Sequence, residues 1–206
     1  MTRTLIVNCS LKTKSEELVA AVRKYSEVTL IADFSLIDEN HRIGGDMDAV
    51  VISGSSARIV HPSERQLFRG VADLIRNCDL PLFGICYGHQ LLCHTFGAKV
   101  GTLTKQVLDR FETVQVLQND PLFDGLETSG IPFAENHFDY VLKEGLSQAE
   151  FILLADSVSC EVEAVRHVSK PFYGVQFHPE RITVKDETHP EGHRILENFF
   201  KNTVKK

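Results

Sequence analysis

The chain has 206 residues and a mass of 23.1 kDa, at the upper end for one hydrophobic core, so a single domain over residues 1–206 is expected. With 43% hydrophobic and 24% charged residues, its composition excludes disordered, collagen-like and coiled-coil chains. Twenty-two Lys and Arg against 28 Asp and Glu give a net charge of −6, the wrong sign for phosphate backbones or anionic lipid, so neither nucleic acid nor membrane is an expected partner.

No stretch approaches the roughly 18 apolar residues of a membrane span, and MTRTLIVNCS turns polar too soon for a signal peptide; a cytoplasmic location is expected. Five cysteines at irregular spacing, an odd number, argue against a disulfide framework and leave at least one thiol free.

In chain order, TLIVN (residues 4–8), VTLIA (28–32), AVVIS (49–53) and PLFGIC (81–86) are near-continuous apolar runs, the pattern of strands covered on both faces. Leu18, Ala21, Val22 and Tyr25 keep helical spacing behind a capping box of Thr13 and Glu16. After the third strand, Leu67, Phe68, Val71, Leu74, Ile75 and Cys78 form one helical stripe, with Ser63 and Gln66 placed to cap it. These alternations predict an α/β fold with a doubly wound, mostly parallel sheet and flanking helices, whose ligands gather at the carboxyl ends of strands. The second half offers FETVQVL (111–117), FILLA (151–155), CEVEAVRH (160–167) and FYGVQF (172–177); alternation in the first and third predicts a smaller, half-exposed antiparallel section. DETHPEG (186–192) has the composition of an exposed loop, and Ile195, Leu196, Phe199 and Phe200 mark a final helix.

In PLFGICYGHQLL a buried strand runs into Gly84, Ile85, Cys86, Tyr87 and Gly88, and a helical pattern resumes at Leu91, Leu92 and Phe96. This is the order of a nucleophile elbow, with cysteine where hydrolases of that shape carry serine. A thiol at a helix amino terminus is favoured as thiolate, and the Tyr87 N–H is then free to stabilise an oxyanion. Two other readings stand beside this one. Cys86 can be a small core residue. Cys86, His89, Cys93 and His94 can be zinc ligands, although their helical directions diverge and no metal site is expected.

YGVQFHPE places His178 just past an apolar strand and Glu180 two residues later. Histidine can take a thiol proton and return it to a leaving nitrogen, and a carboxylate can orient the ring, so Cys86, His178 and Glu180 make a possible triad. Nine histidines are present, and a surface or satisfied histidine is the alternative for His178. His89 and His94 read as packed or surface residues. His189 and His193, beside a Pro and Gly loop, have no metal partner pattern.

GICYGHQ followed by YGVQFHPE resembles the class I glutamine amidotransferases over essentially the whole chain. The resemblance implies their flavodoxin-like fold and a glutaminase. Cys86 would attack the glutamine side-chain amide to form a γ-glutamyl thioester, His178 would shuttle protons, Glu180 would hold His178, and Gln90 would bind the substrate. Two segments depart from the family pattern. Gly54 in ISGSSARIV matches, but Ser55 and Ser56 replace a glycine and a proline; the Ser55 N–H remains an oxyanion-hole candidate, against an ordinary βα turn. In FAENHFDYV, Asn136, His137 and Asp139 fit and Phe138 replaces a glycine; such a segment lines the glutamine pocket through backbone groups, against a plain polar loop.

Acceptor chemistry lies outside such a domain, and SGSSARIV lacks the lysine and glycines of a phosphate-binding loop. The order NHFDYV, FILLADSVSCEVEAVRH, FYGVQFHPE is similar to that of glutaminase subunits of GMP synthetases. This implies L-glutamine as substrate, an ATP-pyrophosphatase-type synthetase partner acting on XMP, no cofactor in this chain, and ATP with Mg on the partner. Alternatives are the glutaminase subunit of an anthranilate or aminodeoxychorismate synthase, a free-standing γ-glutamyl hydrolase, and a silent regulatory module of the same shape.

Overall fold

A computed structural model describes residues 2–12, 15–38 and 46–204. Four strands occupy the predicted apolar runs: β1 (Arg3–Asn8), β2 (Val28–Asp33), β3 (Ala49–Ile52) and β4 (Leu82–Ile85). With β5 (Val100–Val116), β6 (Ile131–Val141), β7 (Phe151–Ser157), β8 (Ala164–His167) and β9 (Phe172–Val175) they form one nine-stranded sheet in the order β2-β1-β3-β4-β9-β8-β7-β5-β6. The first five in that order are parallel and the rest antiparallel, as the change of pattern in the second half predicts.

Each parallel strand feeds two cores. Val50 and Ile52 of β3 pack with the helix pair α3 (Arg69–Asn77) and α4 (Tyr87–Thr95) on one face. Ala49 and Val51 pack with α1 (Glu16–Val22) and α5 (Glu191–Asn202) on the other. Burial on both faces explains why the runs of β1, β3 and β4 show no polar alternation, whereas β2, at the sheet edge, is only partly covered and leaves Leu30 47% exposed.

Several local expectations are corrected. Thr13 lies outside the described residues, and α1 is capped by Ser15, whose Oγ accepts the Leu18 N–H at 3.3 Å. Tyr25 lies beyond α1, stacked on Phe200. The helix after β3 is two pieces, α2 (Pro62–Gln66) and α3, and neither start has a side-chain cap, so Ser63 and Gln66 do not act as caps. The break places Phe68 between Phe34 and Tyr87, with ring centroids 4.4 and 4.6 Å away, and turns Leu67 out to 53% exposure.

FAENHFDYV is not a polar loop but most of β6, with Glu135, His137 and Asp139 buried. β5 begins well before Phe111 and is irregular between Thr102 and Arg110, where TKQVLDR carries no apolar alternation. In CEVEAVRH only the last four residues form a strand, and Val162 and Glu163 are fully buried rather than half-exposed. DETHPEG contains one arm of a small hairpin, β10 (Thr183–Val184) with β11 (Glu187–Thr188), ahead of α5. Among the described residues no helix is long and apolar enough to cross a membrane, and all five cysteines are buried and unbridged.

Candidate active site

β3, β4 and β9 are parallel neighbours, with Ile52 paired to Gly84 and Gly84 to Gly174, so their carboxyl ends open together. Gly54 follows the first, Cys86 the second and His178 the third. The elbow is tight: a Cβ on Gly84 would meet the Gly88 carbonyl oxygen at 2.7 Å, and one on Gly88 the Ile52 carbonyl oxygen at 2.4 Å. Cys86 itself sits at φ 50° and ψ −106°, outside the regions a side chain prefers, at a cost of about 1–3 kcal/mol. Its backbone is held at both ends, the N–H donating to Val175 at 2.8 Å and the carbonyl accepting from Gln90 at 3.0 Å.

His178 is fixed by its N–H donating to Ala134 of β6 at 2.8 Å and by the preceding Phe177, whose ring stacks on Phe133 at 3.9 Å. Its Nδ1 lies 2.8 Å from Glu180 Oε1, so Nδ1–H donates to the carboxylate and Nε2 is left for Cys86. Burial alone favours the neutral ring. The charges of Glu180 and Cys86, with hydrogen bonds to both, outweigh it and raise the His178 pKa to about 10. Gly54 closes the third side: a Cβ there would stand 3.1 Å from His178 Cε1 and 3.5 Å from Cys86 Cβ.

These residues border a cavity of ≈ 400 Å³ whose wall includes Gly54, Ser55, Cys86, Gln90, Asn136, His137, Phe138, His178 and Glu180. Tyr87 is the one predicted site residue absent from that wall. Its ring is buried against Phe68, while its N–H opens α4 without a side-chain cap. The Ser55–Ser56 loop, which has no glycine–proline pair, is held by serine hydroxyls. Ser53 Oγ accepts from the Cys9 N–H at 2.8 Å and donates to the Gly54 carbonyl, and Ser55 Oγ accepts the Ala57 N–H at 3.1 Å.

Gln90 is tied inward, its amide nitrogen donating to the Asp139 carbonyl at 2.7 Å and to Gln176 Oε1 at 3.0 Å. The Asn136 carbonyl lies 3.8 Å from Cys86 Sγ. The His137 side chain is only 1% exposed and turns toward Glu135.

Sequence reasoning passed over Arg58, Gln106 and Arg181, which share the same wall. Arg58 grips Asp139 bidentately at 2.9 and 2.6 Å and covers the Phe138 ring at 4.2 Å, locking the loop after β3 onto β6. An arginine in a polar loop has no local pattern to mark it.

The zinc reading fails on direction. His94 Nδ1 turns to the Ala98 carbonyl and Cys93 packs on His89, which burial and then the charge of His137 hold neutral with a pKa of about 3. Among the described residues no three His, Cys, Asp or Glu side chains converge as a metal site.

Residues 6–203 match the family described as glutamine amidotransferase class-I. The chain belongs to that family. Among curated relatives, this class-I amidotransferase is 39% identical over 128 residues to a glutamine-hydrolyzing GMP synthase subunit of Methanothermobacter thermautotrophicus, covering 62% of this chain and 63% of the relative. It is 36% identical over 152 residues to the corresponding subunit of Methanopyrus kandleri, covering 74% of each. The chain thus spans less than two thirds of the first of these relatives. Among solved structures, a candidate GMP synthase subunit from Thermoplasma acidophilum superposes with a TM-score of 0.81 at 26% identity, over 98% of this chain and 94% of that one. A glutamine amidotransferase from Thermotoga maritima shares the fold, with a TM-score of 0.73 at 17% identity over 87% and 76% of the two chains.

Proposed function

We propose that this amidotransferase is the glutamine-hydrolysing subunit of a GMP synthase, one domain over residues 1–206 that acts in the cytoplasm. It would pass ammonia to an ATP-pyrophosphatase-type partner that holds ATP and Mg and aminates XMP. The observation that carries the reading is a cysteine on a strained elbow facing a histidine whose far nitrogen is 2.8 Å from a carboxylate.

The reaction follows from that arrangement. His178 accepts the Cys86 proton, and Sγ attacks the amide carbon of glutamine. The oxyanion forms against the backbone N–H groups of Tyr87 and Ser55. His178 then protonates the leaving nitrogen, the C–N bond breaks, and ammonia departs from a γ-glutamyl thioester. A water molecule, deprotonated by His178, attacks the thioester carbon; the C–S bond breaks, glutamate leaves, and the proton returns to the thiol. Glu180 keeps the ring in the tautomer both steps need. Gly54 leaves room for that ring, and Gln90, Asn136, His137 and Phe138 wall the glutamine. This chain contributes no cofactor.

Glutamate release is to be measured for the chain alone and with candidate synthetase subunits. Stimulation by an ATP-pyrophosphatase partner with XMP and ATP–Mg is the expected result. Stimulation by a chorismate-using partner instead overturns the acceptor. No turnover with any partner, with Cys86 inert toward a glutamine-analogue alkylator, overturns the enzyme reading.

A further inference from the structure

Beside the pocket the pairing of β5 with β6 slips. Val107 pairs with His137 and Arg110 with Glu135, so β5 has two residues, Leu108 and Asp109, where β6 has only Asn136. This is a β-bulge, a device that bends a strand and re-aims a side chain. Asp109 takes the bend, at φ 38°. Among the described residues three other non-glycine residues have a positive φ. Glu150 and Lys185 lie in turns and Cys86 on the elbow, whereas Asp109 lies within a strand.

The re-aimed carboxylate joins two residues of the pocket wall. Asp109 Oδ1 accepts from Arg181 Nη1 at 2.9 Å and from Asn136 Nδ2 at 3.3 Å. Arg181 directly follows Glu180, and its backbone N–H donates to the His178 carbonyl at 3.1 Å. The Asn136 carbonyl is the one that lies 3.8 Å from Cys86 Sγ. One carboxylate oxygen thus ties the turn that carries His178 and Glu180 to the stretch of β6 that faces Cys86.

Stability does not account for this arrangement. The Asp109 side chain is 52% exposed, and an ion pair so open to water contributes little, while a left-handed backbone costs free energy at a residue with a Cβ. The bulge and the bent residue secure a bridge across the pocket instead.

Resting on the glutaminase reading, we propose that Asp109 is a positioning residue for the reaction. Through Arg181 it holds the His178–Glu180 turn, and through Asn136 the β6 segment beside Cys86, at the separation that thiol attack and proton transfer require. Asp109 itself is not on the pocket wall and acts only through those two neighbours.

Three substitutions test this. Asp109→Gly removes the bridge and relieves the backbone, since glycine adopts φ 38° at no steric cost. Asp109→Asn keeps an oxygen in the same place on a residue that tolerates this backbone. Arg181→Met removes the donor at the other end. Each variant is melted, and glutamate release is assayed for the chain alone and with the ATP-pyrophosphatase subunit, XMP and ATP–Mg. Asp109→Gly should melt at or above the wild type and yet lose about tenfold in kcat in both settings, with KM within about twofold. Asp109→Asn should keep kcat within about threefold of the wild type, because the bridge survives. Arg181→Met should lose as much as Asp109→Gly, and the double variant no more than either alone, as expected of two ends of one tie. Wild-type kcat in Asp109→Gly, an equal loss in Asp109→Asn, losses that multiply in the double variant, or a melting temperature that falls along with kcat each overturn the positioning role. A wild-type chain that releases no glutamate in either setting overturns the proposed function itself, and the positioning role with it.

Discussion

Replacing Glu180 with glutamine keeps the side chain's shape and an oxygen facing His178 Nδ1, but removes the negative charge 2.8 Å away. In the wild type that charge is the chief influence opposing burial, and together with Cys86 it takes His178 from the ordinary 6.5 to about 10. At 1.36 kcal/mol per pKa unit, a rise of that size corresponds to about 5 kcal/mol of preference for the imidazolium, and losing the larger of two charges removes on the order of half of it. Because the folded value lies above the unfolded one, the stabilisation is complete below about pH 6.5 and is lost as the pH rises to about 10. Urea midpoints at pH 6, 8 and 10 and constant ionic strength should therefore fall steeply for the wild type. For Glu180→Gln they should be lower at pH 6 and much flatter. The rate of glutamine hydrolysis at pH 7.5 should drop by about a hundredfold, since the ring loses the group that orients it and favours its charged form. Parallel stability curves for the two proteins would refute the electrostatic reasoning, whatever the activity.

Gly54→Ala places a methyl group 3.1 Å from His178 Cε1, and the ring must yield by a few tenths of an ångström. We expect kcat to fall about tenfold or more with little change in melting temperature; unchanged kcat would mean that His178 does not need that position. Arg58→Met frees the loop after β3 and leaves the buried Asp139 carboxylate without its ion partner. A loss of about 2–4 kcal/mol in urea unfolding and a several-fold higher KM for glutamine are expected, and an unaltered KM would show that the loop holds its shape through Ser53 and Ser55 alone.

The parallel half of the sheet was legible as four apolar runs, each within about one residue of its strand; burial on both faces leaves that mark in β1, β3 and β4, while the edge strand β2 is apolar but only partly covered. The grouping of Cys86, His178 and Glu180 around one cavity was legible for a different reason. All three lie in two short motifs whose residue types have few other common uses together. β6 was harder to read, since its buried residues include Glu135, His137 and Asp139, and what faces two of them, Glu163 beside Glu135 and Arg58 on Asp139, comes from distant positions. The same holds for CEVEAVRH, whose acidic residues suggest a wet face while Glu163 is sealed against another carboxyl. Alternation reports burial only when polar means exposed. Ser15 in place of Thr13, and the break at Phe68, reflect choices among neighbouring caps and turns that tertiary packing decides.

The most direct measurement is peptide mapping by mass spectrometry after incubation with a diazoketone analogue of glutamine, for the wild type and for Cys86→Ala. One adduct on Cys86 is expected, with none on Cys9, Cys78, Cys93 or Cys160, no labelling of the variant, and no glutamate release by it. An adduct on another cysteine, or glutamate released by a folded Cys86→Ala chain, would contradict the assignment of Cys86 as the nucleophile.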